Sequence, residues 1–529
     1  MKEKIKLVPK SIFLYFIFAV LIMIIISLKS NYYIDEIYSY GLSNDTGEGI
    51  DIEIEYNKTY TPGALAFIDY VAVQDGERFN YSSVWQNQKN DVHPPFYYAV
   101  LHTISSVFPN RFSRWFPGII NIVSALLVLF VLRRMVLLMT DSKYILNILS
   151  VSFIFMTGIL LATAYFRMYL MAMLWVTLLT YWFMRQVDKR QDFKFYGLIY
   201  CVTVVGALTH YYVIVYAVLI SCVYGIYLLW NKRMKETLLF CVTMLSAGGT
   251  AIAVFPAMLQ HMFFGYRGTE AIDNLVGKND YWESFKEFYD IIDCQMFGKN
   301  LGYIIVGLML LVAIRYSKNH LGLLDGSKVE EVSFGFDRKT VIRYLLVLVP
   351  CFLYFMLITK MTFTSADRYI SPIYAVLWGS ILCITFTIIK HLIENRTFIV
   401  ISVTMVALIV VGSYQNTRWE YLYSESKPFL EKVEEYKNLD CICVLNGKSY
   451  MLYPEFAEYI KYKSITFITP EELKENGINQ WITTNGVVVS FIENKDTGEY
   501  LQKVMEENGY SGYEELGGFG YDRTYYLHY

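Results

Sequence analysis

Charge is what this sequence is short of: Asp, Glu, Lys and Arg make up 18% of its 529 residues, against 55% apolar and 17% aromatic. Soluble domains carry about a quarter charged residues, so a large membrane-embedded part is expected and a wholly soluble multidomain chain is excluded. Neither sign is in excess, with 46 basic and 48 acidic residues, so no global field draws in nucleic acid or an anionic membrane surface. Metal-ligand spacing is missing too. The eight cysteines contain no CxxC pair and no Cys/His ligand pattern, which argues against a disulfide scaffold and a structural zinc site. Five of them (Cys201, Cys222, Cys241, Cys351, Cys383) lie inside apolar runs, and Cys441 and Cys443, in a strand-like CICVL run, are not expected to pair. There is no internal repeat and no low-complexity linker, and the lack of paired Gly/Pro-broken spans argues against an inverted-repeat transporter.

Long apolar runs are what the sequence has in abundance. A bilayer-crossing helix needs about 17–25 mostly apolar residues. Ser11–Leu28 follows Lys2, Lys4, Lys6 and Lys10 and reads as an uncleaved anchor with its N-terminus in the cytoplasm. Further runs at 116–137, 145–166, 168–184, 196–209, 211–229, 237–256, 301–314, 343–359, 369–389 and 397–412 bring the expected spans to eleven and place the C-terminus outside. Basic residues then fall on every inferred cytoplasmic connection: Arg133/Arg134/Lys143, Arg185 to Lys194, Lys232 to Lys235, Arg315 through Arg343, and Lys390/Arg396. Residues 94–109 are apolar but short, and are read as a juxtamembrane helix with Tyr97, Tyr98 and His102 as an amphipathic edge.

The expected fold is an α-helical polytopic membrane protein with a C-terminal α/β extracytoplasmic domain. Its parts are a cytoplasmic N-terminus (1–10), the first transmembrane helix (11–28) and a first extracytoplasmic loop with juxtamembrane helices (29–115). A multi-span body (116–412) follows, with an outer loop at 257–300. Alternating strand and helix signals after residue 412 mark the last domain (413–529).

Polar oddities collect on the inferred outer face. Asp35 and Glu36 follow the first span within a few residues, a pair of carboxylates at the membrane surface suited to general-base work; the alternative is a solvated acidic loop, since five more acidic residues follow by Glu55. Asp91-Val92-His93-Pro94-Pro95 closes the same loop, its prolines fixing a turn and starting a helix behind an imidazole and a carboxylate. Arg167, Lys360 and Arg368 stand in short outer turns against the positive-inside pattern, where cations suit an anionic partner such as a lipid phosphate. Snorkelling, or pairing of Arg368 with Asp367, is the alternative. His210-Tyr211-Tyr212 occupies a further outer turn.

An inward N-terminus, the acidic pair Asp35-Glu36 opening the first outer loop, the Asp91–Pro95 turn closing it and a many-span body resemble the GT-C glycosyltransferases. The resemblance is strongest to the protein O-mannosyltransferase-like family 39 and its bacterial relatives that use polyprenyl-phosphate sugars. It is carried by the first 100 residues, is diffuse in the later spans, and does not extend to the last 115 or so. It implies an inverting transfer of a sugar from a polyprenyl-phosphate donor to a hydroxyl of a cell-envelope glycan, lipid or protein at the outer face. In that reading Asp35 is the catalytic base and Glu36 orients it or keeps its pKa up. Asp91 and His93 lie at the mouth of the cavity, with His210 and Tyr211 as further substrate contacts, and Arg167, Arg368 and Lys360 neutralise the leaving phosphate. Tyr266, Arg267, Tyr281 and Trp282 of the 257–300 loop would cover the cavity. Asp35, Glu36 and Asp91 offer hard oxygen ligands, and some GT-C enzymes use a divalent cation, but the mannosyltransferase-like branch is implied to work without one, so no metal or other cofactor is expected. The expected location is a bacterial plasma membrane. The rival reading is a transporter or flippase of a lipid-linked saccharide, against which stand spans almost free of charge; a receptor or assembly protein with a membrane anchor is a third.

Overall fold

A computed structural model of the chain describes residues 8–47, 50–277, 281–324, 336–362, 364–493 and 497–529. Lys2, Lys4, Lys6 and much of the 315–343 connection lie outside them. All eleven apolar runs fall mainly on helix, the 145–166 run being broken between Phe153 and Thr157. Among the described residues, six helices suffice by length and composition to cross a membrane: Trp115–Met139, Tyr211–Trp230, Met234–Val254, Arg338–Met361, Asp367–Leu392 and Asn395–Asn416. The number rises to eight when each of two bent pairs is one span, Lys143–Phe153 with Thr157–Ala164 (46°) and Tyr281–Phe297 with Leu301–Ile314 (81°). Helix Phe193–Thr209 is shorter; 17 residues at 1.5 Å each rise about 26 Å, less than a hydrocarbon core of about 30 Å, whereas the first helix, Val8–Leu28, has 21 residues. Among the described residues, fewer helices than the eleven expected reach crossing length by themselves.

The outer segment 257–300 is built of the helices Ala257–Phe263, Tyr266–Val276 and Tyr281–Ile292 followed by a π-turn, Asp293–Phe297, with Phe285, Phe288 and Ile292 recurring at helical spacing on the inward face. The π-turn ends at Gly298, φ +59°, where a Cβ would lie 2.4 Å from the Ile409 carbonyl; a Cβ on Gly412 would lie 2.4 Å from the Gly298 carbonyl. Only glycine at both positions lets this backbone meet the last long helix. The helix Phe96–Val107 is short as expected, but Tyr97, Tyr98 and His102 are fully buried rather than presented at an interface, with His102 Nδ1 2.8 Å from the Ser43 carbonyl.

The basic connections gather at one end of the helix bundle. Arg343 donates to the carbonyls of Leu138 (2.6 Å) and Met184 (3.3 Å), and Arg338 donates to Asn231 (2.8 Å). At the other end sits a six-stranded sheet built from β1 (Thr59–Tyr60), β2 (Asp440–Leu445), β3 (Ser464–Ile468), β4 (Val487–Ile492), β5 (Gly512–Gly517) and β6 (Asp522–His528). Its order is β1-β3-β2-β4-β6-β5; β2 runs parallel to β3 and β4, and the other pairings are antiparallel. Strands β2, β3 and β4 are buried throughout, as parallel strands covered on both faces are. One face carries Ile442, Val444 and Val489 against Leu501 and Val504 of helix Thr497–Asn508. The other presents Cys441 and Cys443, free thiols two residues apart and hence on the same side, to the main core. There Phe67 of the first loop packs on Phe456, Tyr459 and Phe467. The α/β unit expected after residue 412 is thus completed by the first loop, which supplies β1 through Thr59↔Thr466 and Tyr60↔Ile465.

Candidate active site

Helix α1 (Val8–Leu28) ends five residues before α2 (Ile34–Asn44) begins. The turn between them is held by an ion pair between Lys29 Nζ and Glu36 Oε2 at 2.9 Å, with 1% and 0% of the two side chains exposed. Glu36 also accepts the Tyr33 and Phe166 amides, each at 2.7 Å. Lys29 donates to the Tyr421 carbonyl at 2.6 Å and faces the rings of Phe166 and Tyr423. Burial pushes the Glu36 carboxyl up and the Lys29 ammonium down, with the mutual attraction opposing both. Every oxygen of Glu36 is therefore engaged inside the fold, and Glu36 ties α1, α2 and the 165–167 turn together rather than facing a substrate.

Asp35, one residue earlier on α2, points elsewhere and is partly exposed. Its Oδ2 accepts from the Tyr165 hydroxyl at 3.2 Å. Arg167 is 3% exposed and donates through Nη1 to the Asp35 carbonyl and to Ser39 Oγ, both at 3.0 Å. Its Nη2 lies 3.3 Å from His93 Nε2, while His93 Nδ1 lies 2.8 Å from Asp91 Oδ2. His93 thus bridges Asp91 and Arg167 through its two ring nitrogens. Burial raises the Asp91 carboxyl, but His93 and Arg167 outweigh it and hold it below the usual carboxylate range. His210 caps helix Tyr211–Trp230 by accepting the Tyr212 amide at 3.0 Å. Burial first, then the neighbouring His93 and Arg167, keep its pKa well below the usual 6.5.

A cavity of about 870 Å³ opens beside this cluster. Its walls come from Tyr33 and Ile34, the 290–299 bend, the 365–368 turn, residues 416–425 and the loop 519–521. Asp35 lies one ring behind that wall, because Tyr165, its hydroxyl partner, stacks on cavity-lining Tyr421 at 4.2 Å. Arg368 lines the cavity, its guanidinium 5.6 Å from the Tyr33 ring and 5.0 Å from the Tyr369 ring. It has no carboxylate partner among the described residues: Asp367 is taken by Tyr421 (2.5 Å) and Gln295 (3.0 Å) instead. Glu420, also in the wall, is pushed up to about 7 by burial and by Asp367, with Arg368 opposing.

The structure thus brings Asp35, Asp91, His93, Arg167 and His210 together, with Arg368 across the Tyr33–Tyr165 wall. It leaves others out. Tyr211 turns away to His261 Nδ1 (2.7 Å), and Lys360 caps the carbonyl of Gly277 (2.8 Å) at the end of helix Tyr266–Val276. Tyr266 and Trp282 are each 64% exposed, and neither they nor Arg267 and Tyr281 line this cavity; its wall from that region is Asp290 to Lys299. Asp35, Glu36 and Asp91 do not converge on one point that an ion could share. Sequence reasoning missed Tyr165, Tyr421, Glu420 and Lys29. Lys29 carried a signal, being a cation at the outer end of an apolar run just as Arg167 is.

No family model matches the chain, and no curated protein matches it in sequence. Among solved structures, ArnT from Cupriavidus metallidurans bound to undecaprenyl phosphate is 11% identical over 98% of both chains, with a TM-score of 0.49. The archaeal oligosaccharyltransferase AglB from Archaeoglobus fulgidus, in complex with an inhibitory peptide and a dolichol-phosphate, is 9% identical over 97% of this chain and 74% of that chain, with a TM-score of 0.43. Likeness at this level assigns no activity and no residue roles.

Proposed function

We propose that the protein is an inverting glycosyltransferase that moves a sugar from a polyprenyl-phosphate donor to a hydroxyl acceptor at the outer face of the membrane, without a catalytic metal. The observation that carries this reading is a carboxylate, Asp35, with Arg167 on its backbone carbonyl and Arg368 beyond the Tyr33 ring, beside a cavity large enough for a saccharide phosphate. Asp35 Oδ1 has no hydrogen bond among the described residues, whereas Oδ2 is held by Tyr165; a carboxylate oriented by one oxygen can take a proton through the other. In the transfer, Asp35 removes the proton of the acceptor hydroxyl, the acceptor oxygen bonds to the anomeric carbon, and the bond from that carbon to the phosphate oxygen breaks. Positive charge develops on the sugar ring and negative charge on the departing phosphate. Arg368, with donors open to the cavity, receives that phosphate. Arg167 is already committed to Asp35, Ser39 and His93 and positions the base. Attack from the face opposite the phosphate inverts the anomeric centre.

The test is transfer by the purified chain in nanodiscs, offered several polyprenyl-phosphate monosaccharides, comparing wild type with Asp35→Asn. Release of free polyprenyl phosphate by wild type, lost by about 10²-fold or more in Asp35→Asn at unchanged expression, supports the reading. Full activity in Asp35→Asn overturns it.

A further inference from the structure

Three carboxylates unconnected with the proposed chemistry meet inside the C-terminal sheet. Glu455, Glu458 and Asp522 are each 1% exposed, and one oxygen from each lies within 4.8 Å of the other two. Each is held from behind by neutral donors. Glu455 Oε1 accepts the Tyr521 amide (3.1 Å), and Glu458 Oε1 accepts the Tyr462 hydroxyl (2.8 Å). Asp522 Oδ1 accepts the Phe519 amide (2.7 Å), while Thr524 Oγ1 lies 2.9 Å from Glu458 Oε1 and 3.1 Å from Asp522 Oδ2. The oxygens left over, Glu455 Oε2 and Glu458 Oε2, are buried and receive no hydrogen bond from a donor among the described residues. No Lys, Arg or His nitrogen comes within 4.0 Å of the group among the described residues.

Such a group conflicts with ordinary folding energetics. A buried carboxylate is stable when paired, coordinated or neutralised, and here three share one pocket without a cation. The surrounding backbone is built tightly around them. Gly520 adopts φ +82°, and a Cβ there would lie 2.6 Å from Glu455 Oε1, so the 518–522 loop closes over the carboxylates only because it carries glycine.

We propose that Glu455, Glu458 and Asp522 bind one hard divalent cation of the Ca²⁺ class, which the unpartnered oxygens of the two glutamates and an oxygen of Asp522 coordinate. All-oxygen, carboxylate-rich donor sets select Ca²⁺, Mg²⁺ or Mn²⁺ over softer metals. Mg²⁺ demands near-ideal octahedral geometry and usually keeps several waters; a pocket of fully buried side chains suits the more adaptable Ca²⁺ better. The position gives the ion a role: Pro454, Phe519, Gly520 and Tyr521, which border the carboxylates, also form the outer wall of the 870 Å³ cavity. The cation fixes that wall, joining the sheet to the mouth of the cavity.

The experiment uses the full chain in detergent, stripped with chelator and re-equilibrated with Ca²⁺, Mg²⁺ or Mn²⁺. Bound metal is counted by mass spectrometry, and Tb³⁺ luminescence excited through tyrosine is titrated and competed with Ca²⁺. The expected result is about one ion per chain, Tb³⁺ emission displaced by Ca²⁺ more readily than by Mg²⁺, and at least tenfold weaker binding in Glu458→Gln. Because a buried substitution can unfold the sheet, Glu455→Gln and the wild-type Tb³⁺ competition serve as independent readouts. The proposal is overturned if the wild type retains no stoichiometric metal and sensitises no Tb³⁺, or if both glutamine variants fold and bind as the wild type does.

Discussion

Replacing Glu36 by Gln separates a catalytic from an architectural role for the second carboxylate of the pair. In the wild type Lys29 and Glu36 are both buried and 2.9 Å apart. Glu36→Gln keeps the side-chain shape but leaves the Lys29 ammonium with the Tyr421 carbonyl and ring faces alone. Breaking a buried pair by removing one partner costs about 3–5 kcal/mol, whereas replacing both by apolar or neutral groups of similar volume is often nearly neutral. At roughly 2–4 °C per kcal/mol for domains of 150–250 residues, the single variant should lose at least about 6 °C in Tm. The double variant Lys29→Met/Glu36→Gln should recover most of it. The assay is thermal unfolding in detergent of wild type, both singles and the double, with turnover measured on each. If Glu36 acts by tying α1, α2 and the 165–167 turn together, activity returns with stability in the double variant. A double variant as unstable as the two singles summed would refute the pairing argument, and one that is stable but inactive would refute the architectural assignment.

Three further outcomes are expected. Glu420, pushed up to about 7 beside Arg368, gains its negative charge as pH rises through that value; affinity for a phosphate-bearing donor should fall between about pH 6 and 8 in the wild type, and the dependence should flatten in Glu420→Gln, read from KM against pH. His210 has a folded pKa well below the ordinary 6.5, so above about 6.5 both folded and unfolded chains hold it neutral, and below it the unfolded chain alone takes up the proton. Stability should decline as pH falls from 6.5; His210→Asn, which can still cap the Tyr212 amide, should reduce the slope of Tm against pH, and an unchanged slope contradicts the assignment. Gly412→Ala would put a Cβ 2.4 Å from the Gly298 carbonyl, an overpacking expected to cost about 1–3 kcal/mol. A Tm equal to wild type would show that the backbone contact is not close in solution.

Much of this organisation was legible in one dimension. Hydrophobic runs long enough for helices and basic clusters between them depend on local composition, and each run indeed lies mainly on helix with the basic connections at one end. The Asp35 and Asp91–His93 motifs could be singled out because carboxylates and imidazoles at the edge of an apolar run are costly and need a reason. What the chain order did not contain is which neighbours those groups find. Glu36 and Asp35 are adjacent in sequence, yet on a helix adjacent residues face about 100° apart, so one is sealed against Lys29 and the other turns toward Tyr165 and the cavity side. Arg167 and Arg368 look alike as outer-turn cations, but only packing decides that the first is consumed by Asp35, Ser39 and His93 while the second keeps open donors. Lys360 and Tyr211 passed the same sequence criteria and are spent on a helix end and on His261. The two-residue strand at Thr59, and the meeting of Glu455 and Glu458 with Asp522 some 65 positions on, rest on contacts between segments far apart in the chain. Local composition determined the helices and the cost of each charged residue at their ends; partners brought in from remote segments determined which of those residues remain free to act.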